Sequence, residues 1–196
     1  MIFSAFKHGQ FTTPQILAIS VSIIVVAAIL ERLLGHIWIC ECGAIKLWYF
    51  ITGTSENSQH ITDWYSYSHI IHGFVFYWLL TLIPATRKLP MGTRFLIALG
   101  VEAAWEVFEN TDLVINRYRT ATISLDYYGD SIINSISDIL YTVLSFWAAW
   151  KFPVWSIVAA MIAFELVALH AIRDNLLLNI IMLIYPVPFI LEWQSG

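Results

Sequence analysis

In the stretch DWYSYSHIIHGFVFYWLL, Asp63 to Leu80, the histidines His69 and His72 stand three residues apart, which on a helix puts both rings on one face. Further along come Glu102, Glu106 and Glu109 in VEAAWEVFEN, then Asp130, Asn134 and Asp138 in GDSIINSISD. Each set is spaced by three or four residues and so shares a helical face. Imidazoles that meet carboxylates form a mixed nitrogen and oxygen donor set suited to zinc, manganese or iron, and such a metal would acidify a bound water and polarise a phosphoryl oxygen. On that reading a divalent ion is held by His69, His72, Glu106, Glu109 and Asp130. Without a metal, a histidine oriented by a carboxylate is a general acid or base. The candidate catalytic groups are then His69, His72, Glu106, Asp130 and Asp138. Arg117, Arg119 and Arg173 are suited to grip an anionic substrate bidentately, or to balance nearby acids. No compact metal motif such as H-E-x-x-H is present, so any such site depends on tertiary assembly.

The elements that assemble it must be membrane helices. Of 196 residues 59% are hydrophobic and only 12% charged, against roughly a quarter charged in soluble domains. The formal net charge of -4 and the lack of a Lys/Arg cluster exclude nucleic acid as a partner, since phosphate needs a basic face. Five apolar runs approach the spanning length of about 20 residues: Gln15 to Leu34, Trp64 to Ile83, Thr93 to Phe108, Ser131 to Trp150 and Pro153 to Leu169. A sixth, Leu176 to Leu191, is shorter and broken by Pro186 and Pro188, so it could cross, re-enter or lie in the interface. The expected fold is an all-α polytopic transmembrane bundle of five spans plus that sixth segment, one integral membrane domain over residues 1–196. The first run has no small-residue cleavage site behind it and reads as a retained anchor.

Positive charge in short loops sets the orientation. Lys7, then Arg87, Lys88 and Arg94, then Lys151 fall on one side of this topology, which predicts a cytoplasmic amino terminus. Arg117 and Arg119, on the other side, are the minority evidence. His69, His72, Glu102, Glu106, Glu109, Asp130, Asp138 and Glu165 then all fall in the outer half of the membrane, while the inner halves are almost purely apolar. Polar side chains also serve as interhelical glue worth roughly 0.6 to 2 kcal/mol per hydrogen bond, and that is the better account of Ser68, Asn134, Ser135 and Asn179. Carboxylates in the bilayer cost about 3 kcal/mol each even on lenient scales, so four of them point to a shared pocket.

Cys40 and Cys42 in WICECG are separated by one residue, which makes a strained disulfide ring; packed thiols are expected, with a weak metal pair as the alternative. Trp38, Trp48, Tyr49, Trp64, Tyr67 and Tyr127 flank the outer ends as an interfacial belt does. Tyr65, Tyr67 and Tyr128 are the aromatics expected to line the pocket.

The strings SENSQHITDWYSYSHIIHGFVFY, RYRTATISLDYYGDSIINSISDI and IRDNLLLNIIML resemble the signature blocks of an uncharacterised family of small multi-pass bacterial inner-membrane proteins, from about Trp38 onward. The resemblance implies that location and leaves the activity open. A more distant likeness is to VanZ-like membrane proteins, in the order of an Asp ahead of a His, an ExxWExxEN helix and a GDSxxNSxxD helix. Carried over by residue, it implies roles for Asp63, His69, His72, Glu102, Glu106, Glu109, Asp130 and Asp138, and an association with the cell envelope.

The residues therefore lead to a membrane-embedded enzyme acting at the outer leaflet on a lipid or lipid-linked headgroup. The alternative is an envelope lipid-binding or assembly factor that uses the same pocket without turnover. A transporter fits less well, because the apolar inner halves offer no continuous path.

Overall fold

A computed structural model of the protein describes residues 11–122 and 124–196. Among the described residues all regular structure is helical, in eight helices: α1 (Thr13–Leu34), α2 (Ser66–Leu82), α3 (Met91–Glu109), α4 (Asp112–Ala121), α5 (Ile132–Lys151), α6 (Val154–Ile172), α7 (Leu176–Ile184) and α8 (Pro188–Ser195). Three of them, α1, α5 and α6, are long and apolar enough to cross a membrane. Lys7, part of the charge argument for orientation, lies outside the described residues.

Local signals explain the helix limits. Thr12 caps α1 in a reciprocal arrangement with Gln15, and Gly35, at φ 104°, closes it in the left-handed conformation. Ser131 Oγ accepts the Asn134 N–H at the start of α5, and Asn175 Oδ1 accepts that of Leu178 at the start of α7.

The sixth apolar run is two helices. Tyr185 ends α7 and Pro188 opens α8, because proline cannot continue the hydrogen-bond ladder of a preceding turn. At nine residues α7 is about 14 Å long, less than half of a hydrocarbon core. The segment between α3 and α5, read from the sequence as a loop, contains α4, which packs Val114, Ile115 and Tyr118 with Leu183 of α7.

The central packing joins α2 to α5. A Cβ on Gly73 would lie 2.0 Å from Ser145 Oγ, 2.3 Å from the Thr142 carbonyl oxygen and 2.7 Å from the Phe146 nitrogen, so only glycine permits this approach. Ala27, Leu99, Ala103 and Ile139 tie α1, α3 and α5 together. Phe74, Ala149 and Ile157 do the same for α2, α5 and α6. By contrast Ile162 and Leu166 of α6 and Val21 and Val25 of α1 are exposed, the outward apolar surface a lipid-facing helix carries. The chain directions bring the ends of α1 and α3 and the beginnings of α2 and α5 to one end of the bundle, where the buried ionisable residues gather.

Cys40 and Cys42 depart from the expected packed thiols. The two sulfurs are joined in a disulfide. A tight turn, in which the Gly43 N–H donates to the Cys40 carbonyl with Gly43 at φ 72°, brings the Cα atoms to 5.1 Å, within the range such a bond spans.

Candidate functional site

The two histidines of α2 turn the same edge toward α3. His69 Nδ1 lies 2.7 Å from Glu102 Oε1, and His72 Nδ1 lies 3.1 Å from Glu102 Oε2. From α5, the Thr142 hydroxyl sits 2.8 Å from both Glu102 Oε1 and the His69 carbonyl oxygen. Glu102 is fully buried, and a buried carboxylate that accepts from two imidazoles and a hydroxyl is well compensated as an anion. Acting as acceptor, it fixes the Nδ1–H tautomer of each ring and leaves each Nε2 as the reactive edge. His69 Nε2 looks toward Asp138 Oδ2 at 3.9 Å. His72 Nε2 makes no hydrogen bond among the described residues; its ring packs on Phe76 and edge-on to Trp105.

Glu106 is close but not bonded. Its Oε1 is 3.0 Å from His69 Nδ1, yet that N–H is directed at Glu102, and neither Glu106 oxygen has a hydrogen-bond partner. Asp138 Oδ1 and Asn134 Oδ1 are likewise buried and unpartnered. Beyond His69, Asp138 and Asn134 line a small polar chamber of about 30 Å³ with Asp130, Tyr127 and Asn57, room for a water or two. Water suits these walls because it can donate to several acceptors at once.

On the other side the histidines border a groove of about 440 Å³ between α2, α3 and α7. Its polar end includes Tyr65, Ser68, His69, His72, Glu109 and Asn179, and its apolar part includes Phe76, Val101, Trp105, Ile180, Leu183 and Ile184. His69, Tyr65, Glu109 and Tyr118 line both cavities, so His69 stands at the junction of chamber and groove.

The remaining expected residues are placed as follows. Glu109 accepts from the Tyr118 hydroxyl at 2.6 Å. Asp130 is clamped by the α3 cap: its N–H donates to Asn110 Oδ1, and its carboxylate accepts from Asn110 Nδ2 at 3.0 Å and from the Tyr127 hydroxyl at 3.1 Å. Burial raises the Asp130 carboxyl above its ordinary range. Burial, and then the charge of Asp130, push Asp63 up to about 6. Of the five expected metal ligands, His69 and His72 converge, but the carboxylate whose donor atom lies within 4.8 Å of theirs is Glu102. Glu106, Glu109 and Asp130 stand outside that triad. No arginine lines either cavity. Arg117 donates to the Leu183 and Ile184 carbonyls at 2.8 and 3.2 Å, Arg119 to that of Tyr127, and Arg173 to that of Trp193 at 3.1 Å. Tyr65 lines both cavities as expected, whereas Tyr67 stacks on Phe164 at 4.9 Å and Tyr128 donates to the Ser55 carbonyl.

Sequence reasoning did not single out His36 and Asn110. His36 bridges the Asp130 and Asn110 carbonyls at 3.0 and 2.8 Å, and Gly129 lies so near that a Cβ there would meet His36 at 2.3 Å. Glu31 of α1 is also buried, with both oxygens unpartnered. Its only sequence signal is an acid near the end of an otherwise apolar run.

The family model described as a protein of unknown function (DUF2585) matches residues 31–196. A UPF0314 protein of Brucella anthropi is 53% identical over 164 residues, covering 83% of this chain and 81% of its own. One from Rhizobium etli is 50% identical over 190 residues, covering 97% and 94%. One from Sphingopyxis alaskensis is 45% identical over 178 residues, covering 91% and 94%. No solved structure matches. With the family model spanning every residue of the site from Glu31 onward, the chain belongs to the DUF2585 family.

Proposed function

We propose that the protein is a five-span bacterial inner-membrane protein, with α1, α2, α3, α5 and α6 crossing and the amino terminus cytoplasmic, and that it performs acid–base chemistry on the headgroup of a lipid or lipid-linked substrate at the outer leaflet. The observation that carries this reading is the groove: an apolar trough that ends at two histidines oriented by one carboxylate. A membrane lipid has that same division between chain and headgroup. Arg87, Lys88, Arg94 and Lys151 at the opposite end of the bundle support the orientation.

In this reading His72 Nε2 exchanges a proton with the headgroup, Glu102 holds both rings in the productive tautomer, and the chamber beyond His69 supplies water. Tyr65, Ser68 and Asn179 offer the hydroxyl and amide contacts that would seat the headgroup. The convergence of His69, His72 and Glu102 supports a second version, in which those three hold a divalent ion that activates the water.

The test uses detergent-purified protein, mass spectrometry of copurified lipid, and incubation with a labelled envelope-lipid extract. Wild type is expected to retain lipid and convert one species. His72→Gln should retain lipid while turnover falls by about a hundredfold or more, and Ile180→Trp, which fills the trough, should lose the lipid. Lipid retained without conversion would make the protein a binding or assembly factor. Wild type free of lipid would remove the groove from the argument.

A further inference from the structure

We propose that Cys40, Cys42, Glu56 and His60 form a second metal site, apart from the His69 cluster, that takes one zinc-class divalent ion when the two cysteines are reduced. A donor atom from each of the four lies within 4.8 Å of all the others. Ligands of one tetrahedral zinc ion are separated by roughly 3.3 to 3.8 Å, given Zn–S of about 2.3 Å and Zn–N of about 2.0 Å, so the two sulfurs, bonded in the structure, must part once reduced while the donors still apart close in by at most about 1.5 Å. Two thiolates and an imidazole favour zinc over magnesium or calcium.

The surroundings hold the donors in place. The Ile61 N–H donates to the Lys46 carbonyl at 3.1 Å and the Tyr49 N–H to the Thr62 carbonyl at 2.9 Å, which joins the segment after the cysteine turn to the segment after His60. The His60 ring is fully buried, and its carbonyl accepts from Asn134 Nδ2 at 2.7 Å. Cys42 is exposed and Glu56 half-buried, which leaves an entry path. Glu56 Oε2 accepts from His60 Nε2 at 3.1 Å and from Lys46 Nζ. The Lys46 side chain, 40% exposed, can turn out to solvent as metal enters. Loading His60 Nε2 moves its proton to Nδ1, which gives up only the long 3.4 Å contact from the Lys46 N–H.

The disulfide of the structure and the metal site are alternative states of one loop. A phosphine reductant opens the bond: phosphorus takes up the oxygen of one water to become the phosphine oxide, two electrons enter the S–S bond, and the two protons end on Cys40 and Cys42. Metal then displaces those protons to solvent as the thiolates coordinate.

Full-length protein in detergent, reduced with a water-soluble phosphine, should take up one equivalent of Co(II) with a thiolate-to-cobalt charge-transfer absorption that Zn(II) abolishes. The Cys40→Ser, Cys42→Ser double variant should lose the band, and His60→Gln and Glu56→Gln should each bind at least tenfold more weakly. The His69→Ala, His72→Ala variant should keep it. Should His60→Gln not fold, Glu56→Gln, at a half-buried position, carries the comparison. Absence of the band in reduced wild type, or unchanged affinity in Glu56→Gln, would overturn the proposal.

Discussion

Helix α2 has two sides that could hardly differ more. Toward α5 the backbones come so near that no side chain fits at Gly73, while toward α3 and α7 the same helix borders a groove of about 440 Å³. Both sides bear on His69: its carbonyl faces Thr142 of α5, and its ring lines the groove. The difference teaches how a bundle holds a buried side chain at the edge of a groove, with one face fixed by close packing so that the opposite face can stay open without losing its geometry.

Gly73→Ala attacks the closed side and is expected to have the largest effect, a loss of about 3 kcal/mol or more, read as a large fall in melting temperature or in recovered folded protein. Ser145→Gly should not rescue it, because the backbone of Thr142 and Phe146 would still collide with the Cβ. Gly100→Ala on α3, where nothing lies within 4 Å, should be neutral or slightly stabilising. Equal effects at the two glycines would erase the contrast.

A smaller effect is expected on the open side from Arg117→Ala, which releases the Leu183 and Ile184 carbonyls at the end of α7. Discounted for exposure, the cost is about 1 kcal/mol. Hydrogen exchange should quicken in α7 and stay unchanged in the α2–α5 seam; quickening in both would mean the two sides are not separable.

The last effect is electrostatic and confined to a pH window. Asp63, just ahead of α2, has its carboxyl pushed up to about 6 by burial and by Asp130, against about 3.9 in an unfolded chain. Its contribution to stability is fully present below about pH 4 and is lost as pH rises through about 6. Asp63→Asn keeps an Oδ1 acceptor for the Tyr65 and Ser66 N–H groups and should flatten the melting profile across that window. A variant profile parallel to wild type would remove Asp63 from the pH dependence.

Helix positions were largely legible because apolar runs and their caps are local: each of the five runs has a helix within three residues of its expected limits. The carboxylate partner of the histidines was not. Glu102, Glu106 and Glu109 share a face of α3, and which of them meets both histidines depends on how far α3 slides along α2, an offset fixed by tertiary packing rather than by any motif. The hydrogen bonds of the arginines were equally out of reach. Charge near a mouth reads as an anion grip, yet main-chain carbonyls also need donors, and those near the ends of α7 and α8 and of Tyr127 in the loop before α5 claim Arg117, Arg173 and Arg119. The amphipathic α4 was hidden in a polar connection too charged to register as a span.

The segment 57–60 is held by groups that the ribosome makes much later. Gln59 donates to the Gly129 carbonyl across 70 residues, and the Ser58 and His60 carbonyls accept from Ser131 and Asn134. At about 5 to 20 residues per second, roughly 4 to 14 seconds separate the synthesis of this segment from that of its partners. Through that interval Gln59 and His60 lack the contacts that later bury them, so this segment reaches its final packing only after the start of α5 has been made.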